Sequence, residues 1–259
     1  MLWSSLFDTV TAWGMATLLL ALRVAGLLLF AAPLAAVSIP PVVRVLFGLT
    51  LSVALASVLP VSAPPHDLGA GALMVAGACE ATLGVLLATG INVAFGAYAL
   101  GGRLLDVQMG FGMAQVFDPV TRQQVPVISS AFTQLAIVLF WVTDAHHNML
   151  RGLALSIDRI PVGTPWLFES AAAALIQQGS SMFALGFAMV APVVLCLLLV
   201  EVALGVLSRN LPQMNTFMLA VPLKVMLGMA ALAAAMTTLT GVVERVNVSI
   251  FRTWGMVFP

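Results

Sequence analysis

Long apolar runs, separated by short segments rich in proline, glycine and polar residues, dominate the chain. A helix needs about 20 mostly apolar residues to cross a bilayer. Six runs approach or exceed that length, and a weaker run covers residues 147–157. The six runs are residues 13–36, 42–61, 68–100, 127–142, 180–207 and 214–243. This pattern predicts an all-α, membrane-associated bundle of apolar helices and helical hairpins.

The breaks between the runs are clear but short. They fall at Pro40-Pro41, at residues 60–65, at residues 161–165 and at Leu211-Pro212. None is long enough to separate two domains, so we expect residues 1–259 to form a single domain. Three prolines lie inside apolar runs, where each should remove a backbone hydrogen bond and bend its helix. These are Pro33, Pro192 and Pro222.

The stretch QMGFGMAQVFDP, residues 108–119, fits none of the usual elements. It is too short to span a membrane, too apolar for an ordinary loop and too rich in glycine for a good helix. Glycines also recur upstream along the run of residues 68–100 and just beyond it. Such small residues allow helix backbones to approach closely in an apolar environment. They are Gly84, Gly90, Gly96, Gly101 and Gly102.

Composition supports the membrane prediction and limits the partners. Hydrophobic residues make up 61% of the chain and charged residues 8%, whereas soluble domains carry about 45–50% and about 25%. The formal net charge is zero, so no nucleic-acid partner is indicated. Nine arginines are spread almost evenly, and the positive-inside rule therefore predicts no orientation. This spread indicates that many of the charges meet other subunits.

Four charges fall within or at the edge of apolar runs: Arg23, Glu80, Glu201 and Lys224. A charge at the centre of a bilayer costs at least about 2.5–3.5 kcal/mol. We therefore expect these side chains to face protein or trapped water, as buried or interface charges.

Candidate chemistry is sparse. His146 and His147 follow Asp144, but adjacent side chains on a helix point about 100° apart, so sharing a metal would need an irregular turn. Structural or interface roles are favoured for them over metal binding, and Cys79 and Cys196 fit as small buried hydrophobes. The sequence contains no nucleotide-binding motif and no nucleophile-elbow motif. We therefore expect the protein not to be an enzyme and to bind no cofactor. The first residues lack the features of a removable signal peptide.

Two kinds of function remain open at this point. One is a secondary transporter or channel for a small solute, and the other is a structural subunit of a larger membrane conduit. A transporter should show an inverted repeat and an asymmetry of loop charges, neither of which is visible. Composition alone does not separate the two.

Several segments resemble the FliR family of flagellar biosynthesis proteins and its relatives in virulence-associated secretion, the SctT family. They include GGRLLDVQMGFGMAQVFDPVTRQQVPVISS from Gly101, SRNLPQMNTFMLAVPLKVMLG from Ser208, and the early LLALRVAGLLLFAAPL that contains Arg23 and Pro33. Their order and spacing match over essentially the whole chain. The sequence departs from some relatives at Ala145, where glycine is common.

The resemblance implies a subunit of the gate through which flagellar proteins leave the cytoplasm, and the flagellar branch is favoured over the injectisome. It implies assembly with FliP-type and FliQ-type subunits, and with an FlhB-type subunit, in the bacterial inner membrane within the flagellar basal body. Exported flagellar proteins would be transient substrates. It also implies a FliP-like portion joined to a FliQ-like C-terminal hairpin at residues 180–243.

The resemblance further assigns residues 108–126 to a plug loop in the channel, and the residue types suit a soft apolar seal. Methionine fills irregular gaps and glycine permits tight turns, so we expect a gasket of Met109, Gly110, Phe111, Gly112, Met113 and Phe117. Asp118 and Pro119 form a favoured helix start that would anchor the far side of the loop. Arg103 and Asp106 are spaced to pair on one helix turn.

Overall fold

The computed structural model describes residues 2–59, 69–111, 126–166, 168–210 and 216–258. Within these ranges the chain is almost entirely helical and contains no strand, which confirms the all-α prediction. The helices are α1 (Leu2–Phe30), α2 (Ala32–Ala35), α3 (Pro41–Val58), α4 (Ala70–Met109), α5 (Val127–Val142), α6 (Ala145–Arg159), α7 (Phe168–Asn210) and α8 (Thr216–Val257).

The helix boundaries follow the apolar runs unevenly. Helix α5 has the predicted bounds, whereas α4, α7 and α8 each extend beyond the run that predicted them. Hydropathy identifies only the apolar part of a helix. The helical hydrogen bonds continue into the polar residues on either side where packing stabilises them, so these three helices are longer than the apolar runs. Proline sets the start of α3, where Pro41 occupies the first turn and needs no backbone donor.

Pro33 does not bend a continuous helix, contrary to the sequence prediction. Helix α1 ends at Phe30, Ala31 is extended, and Pro33 lies in the first turn of the short helix α2. A proline is tolerated there because the first turn has no intrahelical partners for its N–H groups. Pro192 and Pro222 do lie inside helices, in α7 and α8.

The break after α1 is stabilised by Asn92 on α4, a residue that the sequence analysis passed over. Its amide nitrogen donates to the Phe30 carbonyl at 2.8 Å, and its amide oxygen accepts from the Ala32 N–H, also at 2.8 Å. One side chain therefore satisfies a donor and an acceptor that the helix break exposes.

Among the described residues, five helical segments are long and apolar enough to cross a membrane. They are Val10–Phe30, Pro41–Val58, Ala70–Met109, Ala171–Asn210 and Met218–Met236. Helices α5 and α6 meet the same test only as a pair, bent by 72° at the break between them. The composition of these segments identifies an integral membrane protein.

The described chain divides into two compact units that interleave along the sequence. Unit 1 comprises Met1–Val93, Phe140–Gln178 and Ser249–Pro259, and unit 2 comprises Ala94–Leu139 and Gly179–Val248. The core of unit 1 includes Leu20, Leu87 and Trp254.

Predicted close contacts at glycines are present inside each unit. In unit 1, Gly84 of α4 packs against the backbone of α1 at Arg23 and Gly26. In unit 2, a β-carbon placed at Gly101 would lie 3.0 Å from the Gly186 carbonyl oxygen. Any larger side chain at these positions would push the helices apart, as expected for small-residue packing in membranes.

Candidate functional site

A fully buried ion pair ties three parts of unit 1 together. Arg23 of α1 donates from Nε to Glu80 Oε2 at 2.6 Å and from Nη2 to Glu80 Oε1 at 3.0 Å. The two side chains are 0% and 1% exposed. This bidentate arrangement is the strongest hydrogen-bonding geometry between an arginine and a carboxylate.

The other donors of Arg23 and a second contact of Glu80 form hydrogen bonds with the backbone at and just after the end of α6. Arg23 donates to the carbonyls of Ser156 at 2.8 Å and Ile160 at 3.0 Å, and Glu80 accepts from the Gly163 N–H at 2.8 Å. The C-terminal end of a helix carries partial negative charge. The Ser156 carbonyl also accepts from the Ile160 N–H at 3.0 Å, and Arg23 adds a charged donor to it and to the Ile160 carbonyl. The pair therefore fixes the C-terminus of α6 against α1 and α4.

The other two intramembrane charges lie in a more open setting in unit 2. Lys224 Nζ of α8 contacts Glu201 Oε1 of α7 at 3.0 Å, and the side chains are 17% and 55% exposed. The ion pair therefore joins the two helices of the C-terminal hairpin. Unlike Arg23 and Glu80, Glu201 has much of its carboxylate accessible on the surface of the unit.

The first residues of the predicted plug loop lie at the end of α4. Met109 is completely buried, and a β-carbon at Gly228 of α8 would lie 2.7 Å from Met109 Cε. The next residue, Gly110, has φ +87°, a conformation that favours glycine. Helix α4 ends in a turn at Gly110, and Phe111 follows it with a partly exposed side chain.

Asp106 holds the two ends of this loop close together. Its carboxylate accepts from the Ile128 N–H at 2.8 Å and from the Ser129 N–H at 3.0 Å, at the start of α5. These N–H groups belong to the first turn of a helix, where a side-chain acceptor is needed. Asp106 is thus the cap of a helix that begins 21 residues after it in the chain.

Close backbone packing reinforces this closure. A β-carbon at Gly102 would lie 2.8 Å from the Ser129 backbone nitrogen, and Ser129 Oγ donates to the Ala99 carbonyl at 3.2 Å. The last three turns of α4 and the first turn of α5 therefore pack in direct contact. The loop between them leaves and returns at one place in unit 2.

The predicted pairing of Arg103 with Asp106 is wrong. Among the described residues Arg103 is exposed and makes no ion pair, because the Asp106 carboxylate is turned to the start of α5. Asp106 was visible in the sequence only as a neighbour of Arg103. The remaining predicted loop residues, Gly112, Met113, Phe117, Asp118 and Pro119, lie outside the described residues.

Over the described residues, fold and site define an all-helical integral membrane protein in which Arg23 and Glu80 form a buried ion pair, Lys224 and Glu201 form a more exposed one, and Asp106 holds the end of α4 against the start of α5. The profile of the bacterial export proteins, family 1, matches residues 15–248, and the chain belongs to that family. The family resemblance predicted from the sequence is confirmed. Members of this family are export proteins and not enzymes.

Individual relatives come from flagellar and from secretion systems. The flagellar biosynthetic protein FliR of Escherichia coli (strain K12) is 29% identical over 231 residues, which cover 89% of this chain and 87% of that protein. FliR of Bacillus subtilis (strain 168) is 34% identical over 64% of this chain and 66% of its own length. The Yop proteins translocation protein T of Yersinia pestis is 28% identical over 68% and 69%. The chain is therefore a component of a type III protein export apparatus and acts beside other subunits of it.

Proposed function

We propose that this protein is a core subunit of the flagellar type III export gate. With FliP-type and FliQ-type subunits, and beside an FlhB-type subunit, it forms the channel through which unfolded flagellar proteins cross the bacterial inner membrane within the basal body. The flagellar relatives match over as much as 89% of the chain, which supports the flagellar branch over the virulence injectisome. The homologous subunit of a virulence injectisome is the remaining alternative.

Within this gate, residues 108–126 form the plug. Met109, Gly110, Phe111, Gly112, Met113 and Phe117 provide the apolar gasket, and Asp118 and Pro119 begin the segment that leads back to α5. Export requires a seal that excludes ions and water at rest and yields to a passing polypeptide. Apolar constrictions can close a pore by dewetting alone, and methionine and phenylalanine supply bulk that deforms without breaking hydrogen bonds.

The observation that carries the proposal is the closure of the loop base by Asp106. A loop whose two ends are held at one place projects as a unit, so an apolar tip is positioned without needing rigid structure of its own. Met109, buried against α8, forms the root of the plug, and the turn at Gly110 directs the chain away from it. The first side chain beyond that turn is Phe111.

The plug role predicts a leak when its bulk is removed. In an assembled gate reconstituted in a bilayer, Phe111→Gly with Met113→Gly should raise the resting ion conductance, because the pore then holds water. The matched control is Phe111→Leu with Met113→Leu, which preserves apolar bulk and should stay closed. Equal conductance in the glycine variant and the unmodified gate would rule out the plug role while leaving the subunit assignment intact.

A further inference from the structure

The turn between α5 and α6 brings together three side chains that bind metals. Asp144 has φ +55°, in the left-handed region that few residues other than glycine adopt. Its N–H donates to the Trp141 carbonyl at 3.3 Å, and its own carbonyl accepts from the His147 N–H at 3.0 Å. His146 and His147 are consecutive residues in the first turn of α6, yet their ring centroids lie only 4.2 Å apart, and the turn at Asp144 places its carboxylate beside them.

The distances between the ligand atoms suit a small ion. His147 Nδ1 lies 3.4 Å from Asp144 Oδ1, and His146 Nε2 lies 4.0 Å from the same oxygen. All three ligand atoms lie within 4.8 Å of one another. Zinc binds nitrogen at about 2.0–2.1 Å, so tetrahedral ligands sit about 3.3–3.5 Å apart. The His147 distance already has this value, and small side-chain rotations shorten the others.

The surroundings favour a bound ion over a simple ion pair. The two imidazole rings lie with their centroids 4.2 Å apart, and the Trp141 ring packs on His146 with its centroid at 5.0 Å. The nitrogen of His146 that faces Asp144 is Nε2, at 4.0 Å from Oδ1, whereas Nδ1 is buried away from it, so Nε2 is the atom available to an ion. Asp144 is 71% and His147 61% exposed, so an ion can enter and water can complete its coordination.

We propose that Asp144, His146 and His147 bind one divalent transition-metal ion, with Zn²⁺ best suited to two imidazoles and one carboxylate. Magnesium and calcium prefer ligand sets made of oxygen and fit this one poorly. The ion would join the residue at the break to the first turn of α6 and so hold the bend there. This inference does not depend on the proposed export function.

The test is metal binding to the full-length chain, purified in detergent with any subunits that accompany it and stripped with a chelator. Titration calorimetry should show one Zn²⁺ bound per chain and no binding of Mg²⁺. His147→Ala and Asp144→Asn should each weaken Zn²⁺ binding by about tenfold or more. His66→Ala is the matched control, since the chain has three histidines, and it should bind as the unmodified chain does.

A spectroscopic signature identifies the ligands directly. Bound Cu²⁺ should show hyperfine coupling to two imidazole nitrogens, reduced to one in His146→Ala or His147→Ala. His147→Cys supplies a thiolate and should restore Zn²⁺ binding, which separates loss of a ligand from loss of the turn. Unchanged Zn²⁺ affinity in the double variant His146→Ala/His147→Ala, or binding that only His66→Ala removes, would overturn the proposal.

Discussion

Arg23 and Glu80 show how a membrane helix bundle accommodates full charges. Each would be costly alone in an apolar interior, but the pair is bidentate and its remaining capacity is taken up by the Ser156 and Ile160 carbonyls and the Gly163 N–H. Replacing both partners by apolar groups can be nearly neutral, whereas removing one leaves an uncompensated buried charge. The contribution of this pair is therefore to specify one arrangement of α1, α4 and α6.

We predict that Arg23→Met lowers the free energy of unfolding by about 3–5 kcal/mol, because Glu80 is left charged and buried. Arg23→Met/Glu80→Met should recover much of that loss. Thermal unfolding in detergent measures both. The matched control is Glu201→Gln in the more exposed pair, where the expected change is about 0–1 kcal/mol. Equal losses in Arg23→Met and Glu201→Gln would contradict the role of burial.

At the scale of the element, the N-terminus of α5 is capped by a side chain from another helix, Asp106 of α4. The Asp106 carboxylate on α4 accepts from the Ile128 and Ser129 N–H groups in the first turn of α5. A cap of this kind stabilises α5 and at the same time closes the loop before it. The stability of the helix start and the position of the loop are thus coupled.

We predict that Asp106→Ala destabilises the start of α5 by about 1 kcal/mol, within the range of about 0.5–2 kcal/mol known for lost helix caps. Amide hydrogen exchange at Ile128 and Ser129 should become faster by about fivefold, because 1 kcal/mol corresponds to that factor. Arg103→Ala, an exposed change on the preceding helix turn, should leave exchange there unaltered. Similar exchange in both variants would show that Asp106 does not hold the loop base.

At the scale of the whole chain, the exposed apolar surface demands lipid or protein neighbours. Helix α3 exposes Val42, Val45 and Phe47, and the C-terminal hairpin exposes Leu199 and Met226. The same hairpin carries the exposed carboxylate of Glu201, which lipid tails do not solvate. A surface that mixes apolar area with charge suits contact with other subunits better than contact with lipid.

If the proposed partners are correct, we predict that the chain accumulates in the membrane only together with a FliP-type and a FliQ-type subunit. Co-expression should raise the recovered amount several-fold, and the chain should co-purify with both, as measured by size-exclusion chromatography and imaging of the complex. Co-expression of an unrelated membrane protein is the control and should have no effect. Recovery of a stable monomer in the absence of both partners would contradict this prediction.

The pattern of apolar and polar residues was sufficient to predict the class of protein and most of the positions where its helices are interrupted. Apolar runs of spanning length can be hidden from water only by lipid or by a helical bundle, and prolines and glycines act on the backbone where they stand. The bounds of α5 followed from this alone. The segments around Gly101 and Ser208 further identified the family, which the match over residues 15–248 confirms.

Only the tertiary structure decided which polar groups meet. Arg23 and Glu80 are 57 residues apart, Asp106 and Ile128 are 22 apart, and Asn92 reaches a helix break 60 residues before it. In the sequence each is a lone polar residue near an apolar run, and several partners would suit it equally. The choice depends on which helix faces pack, because a buried hydrogen bond forms only where packing brings donor and acceptor within about 3 Å.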